Sequence, residues 1–413
     1  VGDRDTLIER LALSGVIRFL DNVERIHSTC SRKRAWRVGA KQECQDVIVV
    51  GAGAAGVGCG VVLRSLGMES FTILEQREVG ASFAKWPVEM QFITPSFHSN
   101  PFGLLDLNAV VPNTSPAYRF RREHVSGQQY GLYLKALVEH FDLPVRTGVS
   151  VESVQPEGDG GEGFTLKSSL GTFHARFVIW AAGEFFYPRL DPFPGAELCR
   201  HNATVRTWRE VPGKEAVVIG GYESGMDAAV HLAALGKRVT VLDKSAIWHE
   251  NDLDPSRSLS PFTHERISQA MKTGRIELVG DAEVVAVESE RRNFSVVGAD
   301  GRRWKTSNPP ILASGFRGSL SLVDDLFAKR DDGYPLLTEQ DESTITPGLF
   351  LSGPAVRHDD LVFCFIYKFR QRFAVIAATI ATRLGVDTEP LEELRDYGMY
   401  LDDLSCCGDE CEC

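Results

Sequence analysis

The sequence contains no unbroken apolar run long enough to cross a membrane. Its longest apolar stretch, Val47 to Leu63, is interrupted by Gly51, Gly53, Gly56, Gly58 and Gly60. It reads as a buried strand, a tight turn and a helix start. A basic excess is also missing. There are 45 Lys and Arg against 56 Asp and Glu, a formal net charge of −11. That balance argues against a nucleic-acid or membrane-surface partner, whose electrostatic footprint would be basic. Cysteine is scarce, and nine thiols in 413 residues cannot make a disulfide scaffold. They are unevenly placed, with Cys406, Cys407, Cys411 and Cys413 in the last eight positions. Gly-x-Ser-x-Gly, a Walker phosphate loop and His-Glu-x-x-His do not occur. No apolar segment of secretory type follows the charged start Asp3, Arg4, Asp5, Glu9 and Arg10, so a cytoplasmic, reducing compartment is expected.

The remaining composition is that of an ordinary globular protein long enough for two or three domains. Residues 6–27 repeat apolar side chains with helical period, and residues 1–44 read as a helical extension. From Asp46 a strand, glycine turn, helix and strand follow in order: DVIVV, GAGAAG, VGCGVVLRSLG and FTILE. The order recurs at EAVVI, GGYESG, MDAAVHLAALG and RVTVLD. Two such units predict an α/β protein with parallel sheets and two Rossmann-like dinucleotide-binding domains.

In the first unit Gly51, Gly53 and Gly56 have the Gly-x-Gly-x-x-Gly spacing. The first glycine makes the turn, the second admits a pyrophosphate to the backbone, and the third lets helix and strand pack closely. Glu75 ends the next strand, where an acid accepts hydrogen bonds from a ribose. In the second unit Gly220 and Gly225 are kept, but Tyr222 replaces the middle glycine, where a side chain should obstruct a pyrophosphate. Ser224 and the helix start still offer phosphate donors, and Asp243 matches Glu75. Its carboxylate favours the free 2′-hydroxyl of NADH over NADPH, although Lys244 lies beside it.

Two nucleotide folds of this kind resemble the FAD- and NAD(P)H-binding flavoproteins that include thioredoxin reductase and the flavin-containing monooxygenases. Within this resemblance, WAAGEF (180–185) and LASGF (312–316) are similar to the paired crossovers bracketing an inserted NAD(P)H domain. TPGLFLSGP (346–354) is similar to the strand that runs under the flavin, with Pro354 where an Asp is common. Arg370-Gln371 resembles the segment that contacts the isoalloxazine. The resemblance implies an FAD domain over 45–188 and 306–390, an inserted NAD(P)H-type domain over 189–305, and a cysteine-rich tail over 391–413. It implies FAD contacts from Gly51, Gly53, Gly56, Glu75, Gln76, Trp86, Val151, Gly353, Pro354, Arg370 and Gln371. It implies NADH or NADPH contacts from Gly220, Ser224, Gly225 and Asp243.

The reaction stays open at this point. Neither usual disulfide site of the family carries its cysteine pair: VGASFAKWPVEM has none, and the second domain has only Cys199 at its edge. The resemblance therefore points narrowly to monooxygenase-like oxygen transfer. A second reading is a thiol, disulfide or metal redox enzyme working through the tail. There Cys406 and Cys407 would be the catalytic thiols, or all four tail cysteines soft metal ligands. A third is a non-catalytic flavoprotein whose second site is blocked by Tyr222. Cys364 is the one internal thiol expected near the flavin face, and Arg357-His358-Asp359-Asp360 reads as a substrate-side loop or a solvated one. A small-molecule or thiol substrate and a homodimer are the expected partners.

Overall fold

The computed structural model describes residues 44–97, 105–118, 120–158, 163–250, 252, 254, 256–290 and 293–405. The expected N-terminal helix and all four tail cysteines, with the catalytic and metal roles assigned to them, lie outside the described residues. Two sheets form the frame. The first begins with β1 (Gln45–Val50), α1 (Ala54–Ser65) and β2 (Phe71–Glu75). Val47–Val50 and all of β2 are buried, the unalternating apolar pattern of parallel strands covered on both faces. Behind them α2 (Gly127–His140) starts at a capping box, with Ser126 and Gln129 each accepting the other's backbone N–H. The strands β3 (Val145–Thr147), β4 (Val151–Pro156), β5 (Phe164–Ser168) and β6 (Gly171–Trp180) complete the order β3-β2-β1-β6-β5-β4.

After Trp180 the chain leaves this sheet and builds a second. Here β7 (Arg200–His201), β8 (Glu215–Ile219), α3 (Glu223–Ala234), β9 (Arg238–Leu242), α4 (Pro261–Met271) and β10 (Ile276–Val279) follow in turn. An antiparallel sheet of β11 (Val284–Glu290), β12 (Asn293–Gly298) and β13 (Arg303–Thr306) is appended. Next, β14 (Ile311–Leu312) closes the parallel order β10-β9-β8-β14-β7. The chain returns as β15 (Leu349–Leu351), which pairs in parallel with β6 of the first sheet. The two crossovers lie side by side. Arg189 N–H donates to Gly315 O, Arg317 N–H to Tyr187 O, and Ser319 N–H to Gly183 O. The sequence-based expectation of an α/β frame holding one nucleotide-type fold inside another is met by this pairing.

A final helical stretch starts at Ile366–Phe369 and continues, through a tighter turn at Arg370–Arg372, into α5 (Phe373–Leu384). It packs on α1 because Gly58 has no side chain: a Cβ there would stand 2.0 Å from the Phe373 ring. The stretch is tied down by a buried ion pair. Arg372 Nε and Nη2 each lie 3.0 Å from a carboxylate oxygen of Asp341, with the two side chains 1% and 0% exposed. Arg372 also donates to the carbonyls of Glu339 and Leu401, and Asp341 receives His358 Nε2 at 2.5 Å. Asp341 O accepts from Leu351 N–H, so one pair joins β15, the helix and the C-terminal segment. Removing one partner strands a charge out of water. Arg372→Ala should lower stability by about 3–5 kcal/mol, read as a shift of the urea midpoint at unchanged slope.

Candidate functional site

The glycine turn after β1 adopts a backbone that only glycine holds cheaply. Gly51 has φ +104°, and a Cβ there would meet Ala181 O at 2.5 Å. Gly56 faces the carbonyl of Gly51, which a Cβ would approach to 1.8 Å, so the helix lies directly on the strand end. Gly53 is different: nothing stands within 4 Å of its absent Cβ. That open space, beside the unpaired N–H groups at the start of α1, fits a pyrophosphate approaching the backbone. Glu75 spans the turn. Its Oε2 accepts Ala52 N–H and its Oε1 accepts Arg77 N–H, both at 2.8 Å. Each oxygen keeps a lone pair for a ribose hydroxyl. Burial pushes the Glu75 carboxyl above its ordinary value, and the two N–H groups oppose that.

The second unit repeats this construction. Gly220 has φ +103°, and a Cβ on Gly225 would meet Gly220 O at 1.9 Å. Asp243 accepts Gly221 N–H at 2.8 Å and Ser245 N–H at 2.9 Å, the same two turn positions that Glu75 holds. Tyr222 has φ −86° and ψ −169°, against −81° and −165° at Gly53. Its side chain is therefore compatible with the backbone, and its hydroxyl donates to Ser258 O at 3.1 Å. Trp248 closes over Gly221, where a Cβ would meet its ring at 2.7 Å.

One cavity of about 600 Å³ joins the two units. From the expected flavin set, Gly51, Gly53, Glu75, Gln76, Trp86, Val151 and Pro354 border it. From the second unit, Tyr222 and Ser224 do so. Gly56, Gly220, Gly225, Gly353 and Asp243 do not line the cavity. Gly56, Gly220, Gly225 and Asp243 support the walls from behind through the turn contacts just described. Gly353, at φ +113°, packs against Ala55. Much of the wall is aromatic. Phe83, Trp86 and Phe92 form one cluster with centroids 5.0–5.6 Å apart, and Phe185 and Phe316 form a tilted pair at 5.4 Å.

Arg370 and Gln371, expected from the sequence near the isoalloxazine, are not among the residues that border the cavity. Arg370 is 5% exposed, and its guanidinium donates to the carbonyls of Asp106 and Ala109. Gln371 Nε2 donates to Tyr367 O at 3.0 Å. The cavity is met by the residues just before them, Phe365, Ile366 and Phe369.

Cys364 borders the cavity just ahead of those three. Its thiol donates to Ser256 Oγ at 3.1 Å, and Lys368 Nζ lies 3.0 Å from the same hydroxyl and 2.5 Å from Asp254 Oδ1. Burial pushes the Cys364 thiol above its ordinary value, with the Ser256 hydrogen bond and the Lys368 charge opposing. Among the described residues Cys44, Cys59, Cys199 and Cys364 are all free. Of the Arg357–Asp360 loop, Arg357 borders the cavity, while His358 turns inward to Asp341. Sequence reasoning missed Glu184, Asn202, Asp227 and Ser256 on the wall. Asp227 lies on α3 two positions after Gly225, where no motif marks it. The other three sit in irregular segments with no pattern to mark them. Among the described residues no helix is long and apolar enough to cross a membrane, and no cluster is arranged to hold a metal ion.

Two glycine turns of this construction, facing one cavity across paired crossovers, define a two-nucleotide-fold oxidoreductase. The chain belongs to the pyridine nucleotide-disulphide oxidoreductase family, whose model matches residues 48–353, and its cofactors are FAD and NAD(P)H. It is 23% identical to the bacilliredoxin reductase Bdr of Bacillus subtilis over 343 residues, 82% of this chain and 98% of that protein. The solved bacillithiol disulfide reductase Bdr of Staphylococcus aureus superposes with a TM-score of 0.67 at 19% identity, covering 83% of this chain and 99% of the other. A flavin-containing monooxygenase from Stenotrophomonas maltophilia gives 0.63 at 18% identity, with 83% and 99% covered.

The glycines separate fold from binding. Gly53→Val should leave the thermal midpoint of flavin-free protein within about 1 °C, since the new side chain meets only open space, yet abolish flavin retention on gel filtration. Gly56→Val should instead yield insoluble protein, because its side chain meets backbone.

Proposed function

We propose that this oxidoreductase passes electrons from NAD(P)H, by way of FAD, to a small disulfide-containing molecule that meets Cys364 in the shared cavity. The supporting observation is the position of that thiol: on the cavity wall, held by Ser256, with the Lys368 ammonium on the same hydroxyl. Relatives named for disulfide reduction match the chain along nearly their whole length, which favours the same acceptor class.

The overall change is NAD(P)H + H⁺ + RSSR giving NAD(P)⁺ + 2 RSH. Bound FAD supplies the two-electron relay between nicotinamide and sulfur. Cys364 contributes the nucleophile. Its thiolate attacks one sulfur of RSSR and releases the first RSH, leaving a Cys364–S–S–R bond. Two electrons, which reduced FAD would supply when bound, and two protons are what that bond needs to return the Cys364 thiol and the second RSH. Lys368 favours the thiolate by its charge, and Ser256 holds the sulfur in place. Because burial raises the thiol, most of it is protonated at neutral pH. Its alkylation by iodoacetamide should therefore accelerate with rising pH and level off only above pH 9. A plateau near pH 7 would contradict the burial described here.

The aromatic wall favours oxygen transfer as a second reading, since that chemistry needs a dry, shaped pocket. Anaerobic mixing with NADH or NADPH separates the possibilities. On the disulfide reading the flavin bleaches, reoxidises when a disulfide is added, and stays reduced in Cys364→Ser. Oxygen uptake matched to NAD(P)H consumption, unaffected by Cys364→Ser, would decide for oxygen transfer. Disulfide turnover lost only when residues 406–413 are deleted would move the thiol role to the tail. A flavin that stays oxidised under either nicotinamide would mean a blocked second site.

A further inference from the structure

The glycine turn of the second unit is crossed by one of its own side chains. At Gly53 in the first unit nothing stands within 4 Å of the absent Cβ, and that residue borders the cavity. Tyr222 has the same backbone torsions within a few degrees, so its Cβ enters the equivalent space at the start of α3. No side chain caps α3, which leaves its first N–H groups for a pyrophosphate, with Ser224 beside them on the cavity wall. A pyrophosphate on those groups and the Tyr222 ring in its present position exclude one another. Use of this turn by NAD(P)H therefore requires the ring to swing aside.

The same phenol is one end of a chain of contacts that finishes on sulfur. Its hydroxyl donates to Ser258 O at 3.1 Å. Burial raises the hydroxyl above its ordinary value, Glu223, Cys364 and Asp254 add to that, and it stays a donor across the neutral range. Ser258 is 5% exposed and lies two residues from Ser256. Ser256 Oγ accepts the Cys364 thiol at 3.1 Å and lies 3.0 Å from Lys368 Nζ. With the lysine donating to Oγ, the serine's own proton can turn to the sulfur once the thiol ionises, which favours the thiolate. The charges that also act on the thiol are Lys368 and Arg357, which lower it, and Asp254, which raises it. When the ring swings aside, Ser258 O loses this donor. Glu223 still holds Ser260 N–H and Thr263 Oγ1 at 2.5 Å, but both lie beyond Ser258.

We infer that Tyr222 is a positioning residue that ties the thiol to the nucleotide site: NAD(P)H seats by displacing the phenol, and the displacement draws Ser256 away from Cys364. The thiol is poised while the nucleotide site is empty and restrained once it is filled, so acceptor capture and nucleotide binding oppose one another. Nucleotide affinity is reduced because the displaced state must first be populated. The inference rests on the reading that Cys364 is the working thiol, but not on whether the acceptor is a disulfide.

The test follows iodoacetamide labelling of the Cys364 peptide by mass spectrometry, across pH, in the oxidised, FAD-loaded full chain. The probe is ADP-ribose, which carries the pyrophosphate without a nicotinamide to cover the thiol. Saturating ADP-ribose should slow labelling about fivefold below the midpoint of the pH profile, the effect of one net hydrogen bond. The rate at high pH, where the thiol is ionised in any case, should not change. Tyr222→Phe keeps the ring and removes the hydroxyl contact. It should show the slowed profile without ligand, gain no further slowing from ADP-ribose, and bind ADP-ribose about fivefold more tightly by calorimetry. A wild-type profile unmoved by bound ADP-ribose, or lowered equally at every pH as simple shielding requires, overturns the inference. So does a wild type that does not bind ADP-ribose, since the phenol would then be a fixed plug. A Tyr222→Phe variant with the wild-type profile or the wild-type affinity overturns it as well, because the coupling would not run through the hydroxyl. The expected shifts in a protein that reduces no disulfide would overturn the disulfide reading and leave the coupling standing.

Discussion

The contact between a helix glycine and the carbonyl that ends the preceding strand controls the rest of this molecule. At Gly56 and Gly225 the missing side chain lets a helix lie on its strand at a separation that a Cβ would violate by more than an ångström. That approach aims the first N–H groups of α1 and α3 at a common space. A carboxylate then fixes each turn through two backbone N–H groups, Glu75 in one unit and Asp243 in the other. The acids are thus structural before any ribose arrives. They hold the turns in the shape the ribose needs, so the site is organised in advance of its cofactor.

The opposite wall depends on a different kind of constraint. The stretch from Phe365 to Leu384 presents Phe365 and Ile366 to the cavity while its rear is held by Arg370 and Arg372. Both arginines are buried, and both serve main-chain carbonyls: Asp106 and Ala109 for one, Glu339 and Leu401 for the other. A guanidinium has five donors in a fixed plane, against three on a lysine ammonium, and so holds several acceptors in one rigid arrangement. Asp341 balances the charge of Arg372 and sits at φ +63°, a backbone state that costs energy outside glycine. That cost is tolerated because the carboxylate answers Arg372 and His358 together while its main chain serves β15. One buried ion pair thereby orients the late strand, the helix and the start of the C-terminal segment against one another.

What the sequence disclosed follows from this division. The glycine turns and the acids that close them are local, with fixed spacing, so Gly51, Gly53, Gly56, Glu75 and their counterparts could be read directly. The inserted arrangement was legible from the same duplication and the two crossover segments. The partners of Arg370 could not be read, because an Arg-Gln pair at a helix start looks the same whichever way it faces. The direction is decided by Asp106 and Ala109, more than 250 positions away in sequence. Asn202, Ser256 and Glu184 left no trace because no periodicity governs them. Each is brought to the cavity by a segment whose position depends on both sheets.

The exchange of glycine for Tyr222 is best understood through its unchanged backbone. The torsion angles at Tyr222 and Gly53 differ by only a few degrees, so the turn did not need glycine for its own conformation. It needed glycine only for what lies outside the turn. In the first unit that outside is empty. In the second it is filled by a phenol reaching Ser258, with Glu223 next in sequence capping α4 through Ser260 N–H and Thr263 Oγ1 at 2.5 Å. These contacts draw the segment around residues 256–260 over the mouth of the second unit, the same segment whose Ser256 holds Cys364 and contacts Lys368. The departure from the glycine pattern is therefore coupled to the thiol. A glycine at 222 would free space for a dinucleotide but release the hydroxyl contact that helps place Ser256 against the sulfur.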